Sequence, residues 1–321
     1  MSHDRSQLFG TLAAVIGAAL FGTLGPLSRL GDEAGVGGVA FTAWRATLGF
    51  VSLALLITLR GQAGASLAKV RELPGRGRAS LAIAAAMGVT LNVSMFTAFG
   101  LIPIALALML FYTYPAGVVV ADLALGHERM TRSRLVALLL SFAGVVLVLF
   151  GGSSAPGDAP VNPLGIGLGL FAAASQVLFI TVSRSGYSSV PAPAATLVIL
   201  GTSMVGASSI AILVGQGPDL VAPFRSSDPW PYLLVAGVAA AGVSSLLFLH
   251  AIRTIGGTRT GILMLLEPVV GVTLAAVLLG EGLGPVQVAG GILVLVGALV
   301  LQVRSDPDLE PVIESAAGPV V

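Results

Sequence analysis

The sequence predicts an all-α polytopic membrane protein of ten transmembrane helices arranged as two inverted five-helix repeats. Three observations lead there. First, 55% of the 321 residues are hydrophobic and only 10% charged, with a mean hydropathy of +0.98; soluble domains carry about 25% charged residues. Second, apolar stretches of about 20 residues recur along the chain, the length that crosses a hydrocarbon core as helix. Third, the second half echoes the first.

The spans follow from where charges, Gly and Pro interrupt the apolar runs. They fall near 8–30, 38–59, 79–99, 102–124, 133–151, 164–183, 193–215, 230–252, 258–279 and 285–303. The segment 8–30 is too long for a signal-peptide core and is expected to be retained as the first helix. Short loops join the spans, the longest being the basic stretch 60–78. The chain thus divides into a cytoplasmic N-terminus (1–7), a first repeat (8–151), an external linker (152–163), a second repeat (164–303) and an acidic, disordered tail (304–321).

Positive charge sets the orientation, because Lys and Arg collect on the cytoplasmic side. With both termini inside, thirteen of the 16 Lys and Arg fall in cytoplasmic segments, Arg60, Lys69, Arg71, Arg76 and Arg78 among them. Only Arg29 and Arg225 fall outside, and Arg45 lies within a span. The expected location is a cell (inner) membrane.

The repeat is visible when "YPAGVVVADLALGHERMTRSRLVALLLSFAG" from Tyr114 is laid on "EPVVGVTLAAVLLGEGLGPVQVAGGILVLVG" from Glu267. An offset of 153 superposes Pro115 on Pro268, Glu128 on Glu281 and Gly144 on Gly297. An offset of 155 pairs Ser28-Arg29 with Ser183-Arg184. Five spans per half is an odd number, so the halves cross in opposite directions. Inverted repeats are a recurring transporter architecture, with substrate near the midplane beside interrupted helices.

These stretches resemble the EamA domain of the drug/metabolite transporter superfamily, present here as two tandem copies. Both copies carry the mid-helix Pro followed by Glu 13 residues later, Pro115 to Glu128 and Pro268 to Glu281. Thr131, Gln287, Gly290, Gly297 and the Arg45 of "FTAWRATLGF" match further positions, while Gly284 and Ala137 depart from the pattern. The resemblance implies a ten-helix permease that moves amino acids, related metabolites or drugs, usually outward.

Candidate site residues were read from the cost of burying polarity in lipid. Glu267 is the one carboxylate clearly in mid-span, so it needs a cavity or a partner. Pro268 follows it and should free the carbonyl of Met264. Glu267 is expected to bind a substrate amine, carry a coupled proton or neutralise Arg45. Its repeat mate is Tyr114, with Tyr112 two residues earlier. On a continuous helix those two point about 200° apart, so only one, Tyr114, is expected to face the cavity. Asn92 and Gln176 offer amides in mid-span, either to a ligand or as glue between helices. Trp44 is read as an outer-interface anchor or a pocket wall. Arg45 is expected to snorkel or form a gate pair near the outer end, and Asp122 to join an ion pair on the inner side. Each of these residues also has a purely structural reading.

Other classes find little support. The net charge of +1 and the lack of a basic aromatic-laced tract exclude nucleic-acid binding. The chain has no Cys, and His3, His127 and His250 are scattered, so no metal or cofactor is expected. No nucleophile, base or metal constellation marks an enzyme, lipid-acting or otherwise. The partners expected are a small-molecule substrate, the lipid bilayer and a proton as candidate coupling ion. The alternatives to an exporter working by alternating access are an uncoupled facilitator or a non-transporting sensor or assembly subunit. The Gly-rich face of the last span, Gly290, Gly291 and Gly297, serves either packing within the chain or a homodimer contact.

Overall fold

The computed structural model describes residues 2–99, 101–102, 104–126, 130–150, 162–279 and 284–303. Glu128, Glu281 and nearly all of the 152–163 linker and 304–321 tail lie outside that set. The first repeat contains α1 (Ser2–Gly22), α2 (Leu24–Glu33), α3 (Gly38–Leu59), α4 (Ala63–Arg71), α5 (Gly75–Phe99), α6 (Ile104–Phe111), α7 (Tyr114–Ala124) and α8 (Arg132–Phe150). The second contains α9 (Pro163–Ser185), α10 (Ala192–Leu213), α11 (Gly217–Val221), α12 (Trp230–Leu234), α13 (Ser244–Ile255), α14 (Gly257–Met264), α15 (Glu267–Leu279) and α16 (Pro285–Val303). A π-helical segment, Val235–Val243, joins α12 to α13 without a break.

Among the described residues, six helical stretches are long and apolar enough to cross a membrane: Ser6–Glu33, Gly38–Leu59, Gly75–Met95, Pro163–Ser185, Ala192–Leu213 and Trp230–Ile255. Shorter apolar helices are Tyr114–Ala124 and Pro285–Gly297. Polarity is distributed as lipid demands. Leu213 is 83% exposed, Val277 74% and Val120 65%, whereas Arg45, Asp122, Gln176, Ser175 and Thr260 are buried. Where the solvent is hydrocarbon, apolar side chains belong outside and polar ones must find partners within.

Three breaks have a common cause. Proline cannot donate a backbone hydrogen bond to the residue four places back, so a helix approaching it loses a rung there. Pro26 accounts for the turn at Thr23, Pro115 for the turn after Phe111, and Pro268 for the turn after Met264. The last two coincide in the repeat. α6 and α14, each 8 residues long, are superposed at their full length by the offset of 153. The same offset superposes α8 on α16, each 19 residues long.

Packing repeats the relation. α8 packs on its own mate α16, and α3 on its mate α10. α5 packs on α9 as α13 packs on α1, and α7 on α9 as α15 on α1. These reciprocal contacts define a pseudo-twofold relation between the repeats. At the α8–α16 contact, a Cβ built on Gly144 would meet the Gly290 carbonyl oxygen at 2.6 Å and Val294 Cγ2 at 2.7 Å. Reciprocally, one on Gly297 would run into Ser141 Oγ and meet the Ala137 carbonyl oxygen at 2.9 Å. The small-residue face of the last helix is therefore occupied by α8 within the chain.

One sequence expectation is corrected here. The basic stretch 60–78 is not a plain loop: it forms α4 and the first turn of α5. Its Ala, Leu, Lys and Arg are strong helix formers, and their charges kept it from being read as an element.

Candidate functional site

The two proline breaks bring their flanking residues together. α15 begins at Glu267 and α7 at Tyr114, the equivalent first residue of the helix after each break. Glu267 remains partly exposed, while Tyr112 and Tyr114 are each 2% exposed. Tyr112, Tyr114 and Arg45 are each within electrostatic reach of the Glu267 carboxylate. Phe111 completes an aromatic wall, its ring centroid 5.5 Å from that of Tyr112 and 5.1 Å from that of Tyr114. The Tyr112 and Tyr114 rings lie 6.5 Å apart. Behind Glu267 the wall is backbone: a Cβ on Gly22 would lie 2.7 Å from the Glu267 carbonyl oxygen, so α1 approaches α15 closely at this point.

The expectation that only Tyr114 faces this cluster is therefore corrected. Angular spacing applies along a continuous helix, and the chain turns at Tyr112 and Thr113, which brings Tyr112 round to Glu267 beside Tyr114.

Arg45 differs from expectation too. It is only 8% exposed, so it does not snorkel. Placed two turns into α3, its guanidinium donates to Asn92 Oδ1, and Asn92 Nδ2 donates to the Gly88 carbonyl at 2.7 Å. Asn92 thus ties α3 to α5 and holds the guanidinium. Gln176, 7% exposed on α9, has no hydrogen-bond partner among the described residues. Beside it, Thr90 donates to Ser175 Oγ at 3.3 Å, joining α5 to α9.

Trp44 belongs elsewhere. Its Nε1 donates to the Leu220 carbonyl at 3.0 Å, and its ring packs against Phe224 and Trp230 with centroids 5.4 and 5.5 Å away. Gln216 Oε1 accepts from the Val39 and Ala40 amides and so satisfies the start of α3. Trp44 is an anchor for the α10–α12 connection, separate from the Glu267 cluster.

Asp122, 2% exposed, accepts from Thr258 Oγ1 at 2.9 Å and pairs with Arg184 at 3.4 Å. These contacts join α7 to α14 and α9, across the repeats. Neither partner was singled out from sequence for this role, although Arg184 had appeared in the Ser183-Arg184 repeat mark.

Among the described residues, no group of His, Cys, Asp or Glu could hold a metal ion. The Glu267 cluster gathers a carboxylate, a guanidinium and two phenols inside an apolar helix bundle.

A multi-pass helical membrane protein with two matching halves is the class these features define. Comparison with known proteins agrees: the EamA-like transporter family profile matches residues 8–150 and again 163–303. The chain belongs to the EamA-like transporter family. It is similar to a Synechocystis sp. protein named Uncharacterized transporter sll1164, with 28% identity over 171 residues. That match covers 52% of this chain and 48% of the relative, so the similarity spans about half of the curated protein's length. A solved crystal structure described only as that of a protein shares the fold, with a TM-score of 0.73 at 20% identity. It covers 92% of this chain and 96% of its own.

Proposed function

We propose that the protein is a ten-helix permease of the inner membrane, with inverted halves and both termini cytoplasmic. It exports a small polar metabolite by alternating access at the Glu267 cluster. The observation that carries this reading is the placement of Glu267. It begins the helix after a proline break, at the position its repeat mate Tyr114 occupies, and it faces Tyr112, Tyr114 and Arg45. A mid-bilayer carboxylate costs a few kcal/mol and is retained where it acts.

The chemistry favours a zwitterion of amino-acid type. Glu267 would receive an ammonium group, Arg45 a carboxylate, and the free Gln176 amide a polar side group. The aromatic wall of Phe111, Tyr112 and Tyr114 would cover the apolar part. Asp122 with Arg184 and Thr258 would close the cytoplasmic end, since these contacts join opposite repeats. Glu267 is also the group placed to carry a coupled proton.

The test is ligand-induced thermal stabilisation of detergent-purified protein, screened against amino acids and small metabolites. A ligand at 100 times its Kd stabilises by about 2.7 kcal/mol. The proposal expects zwitterionic amino acids to raise the melting temperature of the wild type and not of Glu267→Gln. Equal responses from both proteins would assign Glu267 to the scaffold.

A further inference from the structure

Away from the Glu267 cluster, the described residues form a cavity of about 610 Å³ between α4, α5 and α10. Its lining has two chemistries. At one end stand Arg71 and Arg78, both exposed. The remainder is a trough in which Ala82, Ala85 and Ala86 of α5 face Val198 and Thr202 of α10. Alanines at 82, 85 and 86, on neighbouring turns of α5, leave room where larger side chains would close the contact.

The cationic end is built. Arg78 Nε donates to the Leu73 carbonyl at 2.9 Å and Arg78 Nη2 to the Arg71 carbonyl at 2.8 Å. These bonds satisfy the end of α4 and fix the guanidinium at the mouth of the trough. Nη1 has no partner among the described residues and is left for a ligand, as is the Arg71 side chain. Glu72, next to Arg71 in the chain, is taken up by Lys69 at 3.2 Å.

We propose that this groove is a binding site for an anionic phospholipid, its phosphate held by Arg71 and Arg78 and one acyl chain lying along the alanine trough. Charge complementarity favours this occupant. A fixed guanidinium suits a phosphodiester, and basic pockets at the cytoplasmic membrane surface collect anionic lipid. The inference rests on the membrane-embedded reading above, and its leaflet on the orientation given there.

Native mass spectrometry of the detergent-solubilised full chain supplies the test, with phosphatidylglycerol and phosphatidylcholine of matched acyl chains as probes. The wild type should retain phosphatidylglycerol with a preference on the order of tenfold. Arg71→Gln should reduce that preference, and with Arg78→Gln abolish it. Ala86→Leu, which fills the trough and leaves the charges in place, should lower retention of both lipids. Since Arg78→Gln also loosens α4, Arg71→Gln and Ala86→Leu decide the matter if it fails to fold. Equal retention of the two lipids by the wild type, or unchanged retention by both of those variants, overturns the proposal. So does strong retention that emerges only once Asp306, Asp308 and Glu310 of the tail are neutralised, which would put the tail in the groove. Lipid retention is read without flux, so a protein that holds the lipid and carries no substrate sinks the transport reading alone.

Discussion

Tyr112 and Glu267 lie within electrostatic reach of each other, each beside the proline break of its own repeat. The pair crosses the line between the halves, so any motion of one half relative to the other changes this contact. That is why the cluster, rather than either residue alone, is the centre of the account.

Tyr112→Phe removes the hydroxyl and keeps the ring packed against Phe111. Removing the hydroxyl's interaction with Glu267 should lower the unfolding midpoint, and by more than in Tyr114→Phe, as read by thermal unfolding of the two variants. The reverse order would restore Tyr114 as the principal contact.

Gly144→Ala should destabilise the protein by about 1–3 kcal/mol, the usual cost of overpacking a close contact. The added methyl meets backbone at Gly290 and Val294 and the Val294 side chain. Gly297→Ala should behave similarly against Ala137 and Ser141, and the double variant should depart from additivity because the sites share one helix pair. Thermal unfolding in detergent measures all three. An unchanged melting temperature would mean that α8 and α16 are not packed as described.

Arg184→Ala should cost more stability than Asp122→Asn. The first leaves the Asp122 carboxylate buried with its charge less compensated; the second keeps a hydrogen-bonding side chain for Thr258 and leaves Arg184 partly exposed to water, its side chain 25% accessible. Breaking a buried pair by removing one partner costs up to about 3–5 kcal/mol, and the exposure of Arg184 places this case lower. Unfolding midpoints of the two variants, compared at one pH, decide the order.

Much of the architecture was legible in the sequence because lipid imposes few solutions. Runs of apolar residues marked the helices, prolines marked the breaks at Pro115 and Pro268, and an offset of 153 related helices that the structure superposes. Glu267 was legible because a lone mid-span carboxylate is expensive. What sequence could not supply was the partner across space. That Arg45 meets Asn92, and Asp122 meets Arg184 and Thr258, depends on how α3, α5, α7, α9 and α14 pack. Tyr112 was misjudged because helical spacing was carried through a break that Pro115 itself foretells. Trp44 was ambiguous because its neighbours Leu220, Phe224 and Trp230 belong to a connection whose path no periodicity describes. The helix α4 was hidden by its charge.

The most direct test of the central claim is uptake of radiolabelled zwitterionic amino acids into proteoliposomes, comparing the wild type with Glu267→Gln at matched reconstitution. The account predicts saturable flux in the wild type, competed by unlabelled substrate, and loss of at least nine-tenths of it in the variant, about 1.4 kcal/mol or more of lost stabilisation. Flux that survives the substitution undiminished in a folded variant would contradict it, and would return Glu267 to the role of a structural partner for Tyr112 and Arg45.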